Sequence, residues 1–374
     1  MLYASVISVS NSTQRKRRCK RRWLVAIAVA VCGAVALLPA SQAHAQLVLD
    51  PIVKPSGATP PPTVHAMFTS PGNGTVITSD AFPVSQQICG SVSANAPAGD
   101  LSIMLVLDVS GSMGTGVSTG ASRLDQLKTS VKKMLADLDP THTKVGIVQF
   151  GHDVAGDLDA IADASVVSDL TSDFSSLETA VDGMFASGLT PTGRGMNLAL
   201  SQLEHYSPPG AAKFQVVASD GYWNLGVDPT SVAASAHNDF GQIVHTVGIS
   251  ADQDAAKLQQ IAAAGGGQYF DATNLANLDG IFTTPGGFVG VDSAFLNGVN
   301  ITSELNAFGQ FCVNHDIVEG QNDFLLEGYA GQGYDSDKLS ITGRTAPAVP
   351  EPTTVFLLGA GLLGLASYRR RRRS

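Results

Sequence analysis

The sequence predicts an α/β domain, a doubly wound, mostly parallel sheet flanked by helices, inserted in an all-β sandwich. In the middle of the chain, apolar runs of strand length alternate with segments of helical periodicity, which is the pattern of a parallel sheet. Segments rich in Thr, Ser and Val, separated by turn residues, lie on both sides of that region. Neither flank is long enough to bury a core alone, so we expect the two flanks to form one domain.

The central region begins with the apolar run Leu101–Leu107, which is typical of a strand buried on both faces. Further strands are predicted at 145–150, 214–219, 243–249 and 268–270. Helices are predicted at 123–138, 177–184, 196–206, 230–238 and 255–264. Because ligands of open α/β sheets bind beyond the carboxyl ends of the strands, we expect a functional site at that edge.

The two flanking β segments cover residues 64–98 and 285–343. The first contains SPGNGTVITSDAFPV, and the second contains LNGVNITSELNAFGQFCVNHDIVEGQNDFLLEGYA. These stretches resemble the two parts of a bacterial immunoglobulin-like (Ig-like) repeat, which implies one Ig-like sandwich split by the α/β domain. The alternative is two unrelated β caps.

Two of the four cysteines, Cys19 and Cys32, lie in an N-terminal leader. Cys89 and Cys312 remain as one pair in an exported protein, a setting in which disulfides form. Each is out of phase with the apolar, inward-facing positions of its predicted strand. We therefore predict a Cys89–Cys312 disulfide on the outer face of one sheet.

Residues 1–45 have the three parts of a removable secretory signal peptide, the substrate of signal peptidase. The basic stretch RKRRCKRR precedes an apolar segment from Trp23 to Leu38, and Ala43-His44-Ala45 supplies small residues for cleavage. The mature chain is expected to start near Gln46, and the Pro-, Gly- and Ala-rich residues 46–63 are interpreted as a linker.

Residues 344–374 contain the motif Pro350-Glu351-Pro352, an apolar run and five arginines, Arg369–Arg373. The run is shorter than the ~20 residues of a spanning helix, and the arginines favour a cytoplasmic end, so a plain tail anchor is one interpretation. The order of parts resembles the PEP-CTERM sorting signal of Gram-negative bacteria. That resemblance implies a transient membrane segment, processing by an exosortase-type transpeptidase, and delivery to the cell surface or extracellular matrix.

Charge is distributed unevenly along the chain. Seven of the 23 lysines and arginines lie in the leader and five in the C-terminal segment from Val349, whereas only Glu351 of the 32 acidic residues lies in these ends. The body therefore carries a net charge of about −20, which argues against nucleic acid or an anionic membrane surface as partner.

The first central strand ends in DVSGS, an Asp-x-Ser-x-Ser that provides Asp108, Ser110 and Ser112 at the edge where the site is expected. Thr190 in GLTPTG and Asp220 in VVASDG complete a set of three segments. With them, the region 99–284 resembles the von Willebrand factor type A (VWA) family. The resemblance implies a metal-ion-dependent adhesion site (MIDAS), with the three hydroxyls as direct ligands and the two carboxylates often acting through water.

Hydroxyl and carboxylate oxygens are hard ligands that suit Mg²⁺, with Mn²⁺ or Ca²⁺ as substitutes. Two carboxylates and three neutral hydroxyls leave such an ion incompletely neutralised, so a carboxylate of the partner is expected at an open position. Ser219 stands where the family more often has Thr, which concerns hydrogen bonding around the site. Taken alone, Asp-x-Ser-x-Ser also fits a helix-capping turn.

Two aromatic residues, Tyr222 and Trp223, follow Asp220 closely. They either form a partner-binding rim beside the metal or pack against the neighbouring loop.

The enzyme classes find little support in the sequence. Ser110 and Ser112 do not lie in a Gly-x-Ser-x-Gly elbow, and the eight histidines show no metal-ligand spacing. The glycines at 265–267 precede a strand and do not open a helix, so no phosphate loop is predicted.

Three non-enzymatic functions remain as hypotheses. The first is metal-dependent adhesion to a protein or an acidic polysaccharide that presents a carboxylate. The others are a structural component of an exopolysaccharide or biofilm matrix, and a subunit that assists assembly of a surface structure.

Overall fold

The computed structural model describes residues 64–94, 96–116, 120–151, 164–331, 333–347 and 352–371, without the side chains of 352–355 and 370. The predicted signal peptide and linker, together with Pro350 and Glu351, lie outside this part of the chain. The predicted domain boundaries at 64–98, 99–284 and 285–343 stay a prediction.

The described strands are β1 (His65–Ser70), β2 (Thr75–Ser79), β3 (Val84–Ser93), β4 (Leu101–Asp108), β5 (Thr143–Phe150), β6 (Ala164–Thr171), β7 (Ala212–Ser219), β8 (Ile243–Ile249), β9 (Gly266–Ala272), β10 (Ser293–Leu296), β11 (Val299–Asn300), β12 (Gln310–Ile317), β13 (Gly320–Ala330) and β14 (Gly333–Thr345). The described helices are α1 (Arg123–Asp137), α2 (Phe174–Asp182), α3 (Thr192–Tyr206), α4 (Pro229–Phe240), α5 (Ala255–Ala264), α6 (Leu278–Thr283) and α7 (Pro352–Arg371).

The central sheet has six strands in the order β6-β5-β4-β7-β8-β9. All neighbours are parallel except the β5–β6 pair, which is antiparallel. Every residue of β4 and of β8 is buried, as continuous apolar runs predict for strands covered on both faces. The predicted doubly wound α/β fold is confirmed.

Two central elements were not predicted from the sequence. Strand β6 is half-exposed along its length and reads ASVVSDLT, so it lacks the apolar run that identified the inner strands. Helix α6 has only six residues, too few to show a helical period.

The flanking segments form two sheets, one in the order β1-β3-β12 and the other in the order β11-β10-β13-β14-β2. Each sheet contains strands from both sides of the α/β region: β3 pairs with β12, and β14 pairs with β2. Because these pairings join segments more than 200 residues apart, the two flanks fold together around the insertion, and separate β caps are excluded.

The facing sides of these two sheets are apolar. Ile88 and Val92 of one sheet and Leu326 and Ile341 of the other are almost fully buried. A Cβ added at Gly328 would lie 2.3 Å from Val92 Cγ1, so the sheets approach closely at that point.

Aromatic side chains join the all-β part to the amino ends of the central strands. Phe288, which follows α6, stacks on Phe308 at 4.9 Å between ring centroids and contacts Phe270 at the same distance. Phe308 also meets Phe214 of β7 edge-on at 5.4 Å. We call this group the junction cluster, and one continuous apolar core runs through it.

Cys89 and Cys312 are direct partners in the β3–β12 register and form a disulfide. Cys312 is exposed, so the bond lies on the outer side of the three-stranded sheet, as strand parity predicts. The bond encloses the entire α/β region, since its cysteines are 223 residues apart in sequence.

The C-terminal residues form helix α7, which begins at Pro352 of the predicted sorting motif. Among the described residues, no helix is both long enough and apolar enough to span a membrane.

Candidate metal centre

The candidate site lies at the carboxyl edge of the central sheet, where the chain leaves two neighbouring parallel strands. Asp108 is the last residue of β4, and Asp220 directly follows β7. Leu107 and Ala218 are partners in the β4–β7 ladder, so the two carboxylates start from adjacent positions. Parallel pairing therefore brings together residues that are 112 positions apart in sequence.

Hydrogen bonds connect the first and third loops of the site. Ser110 and Ser112 have their Oγ atoms 3.0 Å apart, and Ser112 Oγ donates to Asp220 Oδ1 at 2.7 Å. Ser219 Oγ donates to Asp108 Oδ2 at 2.5 Å. Asp108 Oδ1 accepts from the backbone N–H of Ser110 at 2.8 Å. Ser219 thus performs the supporting role in which the family more often uses Thr.

The second loop brings Thr190 to the same place. Its backbone N–H donates to Asn224 Oδ1 at 3.0 Å, which fixes it to the loop after Asp220. A Cβ added at Gly221 would lie 3.6 Å from both Ser112 Oγ and Thr190 Oγ1, so these two hydroxyls flank one small space. All five predicted residues therefore converge, although they come from three separate loops.

The backbone of the first loop is held by glycine on a neighbouring strand end. Gly151 follows β5 with a φ of 126°, a conformation that L side chains rarely adopt. A Cβ there would lie 2.4 Å from the backbone nitrogen of Ser110. Gly151 thus allows the Ser110 loop to pack closely against the end of β5. No pattern in the sequence indicates this role.

The Asp108 carboxyl is fully buried, and its pKa reflects that. Burial raises the pKa to about 7, and the nearby Asp220 carboxylate adds to the rise. Hydrogen bonds from Ser110 and Ser219 offset only part of it. A buried carboxylate without full compensation is an environment in which a cation binds favourably.

A buried arginine also contacts the site and was missed at the sequence level. Arg123 Nη1 lies 2.7 Å from Asp220 Oδ2, and its Nη2 lies 2.6 Å from Asp252 Oδ2. Burial opposes the charged guanidinium, but the two hydrogen bonds hold its pKa above the usual value. One signal was present: Arg123 is the first residue of α1, where the helix dipole disfavours a cation.

The two aromatic residues after Asp220 have different surroundings. Tyr222 is 63% exposed and remains a candidate for the rim. Trp223 donates from Nε1 to the carbonyl of Leu225 at 2.7 Å, and Lys257 Nζ lies 5.2 Å from its ring centroid. Trp223 thus contacts its own loop and helix α5, and its place in a partner-binding rim stays a prediction.

The donor set fits a small hard cation through hydroxyls. Within the described part of the chain, no group of three or more His, Cys, Asp or Glu side chains could hold a metal. A metal would instead be held by Ser110, Ser112 and Thr190, with Asp108 and Asp220 as the negative charges. Ser112 is exposed while Asp108 is buried, so such an ion would face solvent on one side only.

The sequence contains one Gly-x-Ser-x-Gly motif, although not at Ser110 or Ser112. GVSTG at residues 116–120 does match Gly-x-Ser-x-Gly, and its central residues lie outside the described part of the chain. A nucleophile elbow directly joins a strand to a helix. Here β4 ends at Asp108, and a 3₁₀ turn at Gly111–Gly114 separates it from the motif.

Comparison with known proteins identifies two family signatures in the chain. The model of the von Willebrand factor type A domain matches residues 102–284, and that of the PEP-CTERM protein-sorting motif matches residues 348–373. The Bacillus subtilis (strain 168) protein YwmC is 26% identical over 213 residues, which are 55% of this chain and 89% of YwmC.

Two solved structures are also similar. A von Willebrand factor type A protein from Catenulispora acidiphila has a TM-score of 0.42 and 15% identity, covering 78% of this chain and 76% of its own. Proximal thread matrix protein 1 from the mussel byssus, described with a zinc-occupied MIDAS motif, has a TM-score of 0.40 and 18% identity, covering 52% and 46%. VWA domains are in general interaction modules and not enzymes. Residues 102–284 are a von Willebrand factor type A domain, and the chain ends in a PEP-CTERM protein-sorting motif.

Proposed function

We propose that this protein is an exported adhesion protein whose VWA domain binds a divalent cation, Mg²⁺ or its substitutes Mn²⁺ and Ca²⁺, and uses it to hold an acidic group of a partner. The observation that carries the proposal is the convergence of Asp108, Ser110, Ser112, Thr190 and Asp220 from three loops at one edge of the sheet. A site with many hydroxyls and few carboxylates does not fully neutralise a bound divalent cation. The remaining positive charge attracts an incoming anion.

The surroundings of the site favour a protein as the partner. Four large apolar side chains on the loops that carry Thr190 and Asp220 are at least 40% exposed: Phe185, Leu189, Tyr222 and Val227. Exposed apolar side chains around a polar centre are typical of protein interaction surfaces. A protein loop with an exposed Asp or Glu beside apolar residues could bind both the metal and the apolar side chains. An acidic polysaccharide could bind the metal but would leave the apolar side chains uncovered.

A binding experiment with paired variants tests the function. Surface and matrix proteins and polysaccharides of the native bacterium would be captured on the purified protein with Mg²⁺, with EDTA, and with EDTA followed by Mg²⁺. Capture should disappear with EDTA and return with Mg²⁺, and Thr190→Val should abolish it because the variant lacks one hydroxyl ligand. Thr192→Val, the same change two residues further on, should bind normally.

The same experiment separates the alternatives. Capture of acidic polysaccharide in place of protein would identify the other partner class. Binding that is indifferent to EDTA and to Asp220→Ala would reject adhesion through the metal. Recognition would then run through the all-β part, as expected of a structural component of the matrix.

The localisation has its own test. We propose that signal peptidase removes the leader and that an exosortase-type enzyme processes the tail near Pro350-Glu351-Pro352, so that the body reaches the surface or matrix of a Gram-negative bacterium. Mass spectrometry of the surface form should find no arginines from 369–373. An intact Ser374 would contradict the processing.

A further inference from the structure

Arg123 occupies an unusual position for a basic residue. It is the only buried lysine or arginine among the side chains that the structure describes, with 8% of its surface exposed. Its guanidinium bridges two carboxylates, Asp220 after β7 and Asp252 after β8. The bridge therefore ties α1 to the ends of two strands.

The position of Arg123 is unfavourable unless these partners are present. It begins α1, where the positive end of the helix dipole repels a cation, and it is shielded from water. Charge-assisted hydrogen bonds to two carboxylates compensate for both effects. Helix α1 does not need the arginine to start, since Ser122 and Asp125 already form a capping box.

The contact divides the oxygens of Asp220 between two roles. Oδ2 accepts from Arg123, and Oδ1 accepts from Ser112 Oγ. Asp220 is therefore held by Ser112 and Arg123, while the Asp108 carboxylate has hydrogen bonds but no cationic partner in the described structure. The Asp220 carboxylate thus lies between the positive charge of Arg123 and the place where the ion would bind.

We propose that Arg123 is the internal counter-ion of the metal site: it neutralises Asp220 when the metal is absent and opposes the ion when it binds. This inference rests on the proposed function. A divalent ion and a guanidinium that share one carboxylate repel each other, so the ion is held weakly by the protein alone. The excess positive charge favours a carboxylate at the open position, so metal and acidic partner strengthen each other's binding.

Calorimetric titration of the full mature chain with Mg²⁺, and with Mn²⁺ as a second probe, tests the proposal. Arg123→Gln keeps a hydrogen-bond donor near Asp220 but removes the charge, and should bind Mg²⁺ about tenfold more tightly or better. Arg123→Lys, which keeps the charge, should stay near the wild-type affinity. Lys132→Gln removes an exposed charge from the same helix and is the matched control, with no change expected.

The coupling to an anion is measured in the same titrations with acetate as the carboxylate probe. Acetate should raise the Mg²⁺ affinity of the wild-type protein, and by a smaller factor that of Arg123→Gln. Equal factors in both proteins would overturn the coupling.

Asp252→Asn provides a second measurement of the charge effect in case Arg123→Gln does not fold. It removes the anion that shares Arg123 and should weaken Mg²⁺ binding, about two- to threefold because the Asp252 side chain is 71% exposed. Weaker binding in a folded Arg123→Gln would show that Arg123 only positions Asp220, and would overturn the counter-ion role. Absence of Mg²⁺ binding in the wild type and all variants would instead reject the metal site, and the inference with it.

Discussion

The two edges of the central sheet differ in polarity. At the carboxyl edge, two buried carboxylates, a buried arginine and several hydroxyls meet beyond the strand ends. At the amino edge, the side chains of the junction cluster pack on the all-β part, and one neutral imidazole, His245, lies among them. The same strands thus carry a charged centre at one end and an apolar attachment at the other.

The difference indicates how stability is distributed. Burial of apolar rings contributes favourably to folding, whereas a buried carboxylate without a cation lowers stability. The amino edge therefore stabilises a scaffold that tolerates the unfavourable carboxyl edge. Variants at the amino edge should lower stability and leave metal binding intact. Variants that remove a buried negative charge at the carboxyl edge should weaken metal binding and raise stability.

The largest effect is expected from Phe288→Ala. Phe288 is fully buried, and its loss should lower the free energy of unfolding by about 3–5 kcal/mol, measured by urea denaturation. Mg²⁺ affinity in the remaining folded protein should not change. Tyr222→Ala, at the other edge and 63% exposed, should alter stability by less than about 0.5 kcal/mol and weaken capture of the partner. A stability loss below about 1 kcal/mol for Phe288→Ala would show that the junction cluster contributes little to the stability of the fold.

Loss of the disulfide is expected to rank second. The Cys89→Ser and Cys312→Ser double variant opens a loop of 223 residues and should be less stable by about 3 kcal/mol, again with unchanged Mg²⁺ affinity. Thiol titration of unfolded, unreduced mature protein should find no free thiol. Two free thiols would show that the bond does not form in the exported protein.

A pH dependence of stability should come from the amino edge. Burial lowers the pKa of His245 from 6.5 to about 3, so the folded protein keeps the imidazole neutral. As pH falls from 6.5 towards 3, the unfolded chain binds a proton that the folded protein does not, and stability decreases. Above 6.5 the group contributes nothing.

His245→Gln should reduce this acid sensitivity. Between about pH 7 and pH 4, the variant should lose about 3 kcal/mol less of its free energy of unfolding than the wild type. His205→Gln, at an exposed position, should behave as the wild type. Equal losses in all three proteins would mean that His245 does not control the acid response.

The parts of the protein that could be predicted from the sequence are those whose residue pattern is compatible with a single type of structure. The continuous apolar runs of β4 and β8, and the polar residues placed directly after β4 and β7, led to the correct sheet and to the convergence of the five site residues. Strand β6 was missed because an edge strand that is half-exposed has no distinctive pattern.

The missed contacts at the site have another cause. Arg123 meets Asp220 only because the end of β7 lies beside the start of α1, 97 residues away in sequence. Gly151 matters only because its backbone touches the Ser110 loop. Such roles depend on tertiary neighbours, which a single sequence does not specify.

Asp108→Asn shows whether the carboxyl edge is a cation site whose negative charge lowers the stability of the protein when no metal is bound. The amide keeps the shape and can still meet Ser110 and Ser219, but it carries no charge. Mg²⁺ affinity, measured by calorimetry, should fall about 100-fold or more, and the free energy of unfolding in EDTA should rise by about 1 kcal/mol. Asp182→Asn, which removes an exposed carboxylate, should leave both quantities unchanged. Unchanged Mg²⁺ binding in Asp108→Asn would show that the carboxyl edge is not the cation site.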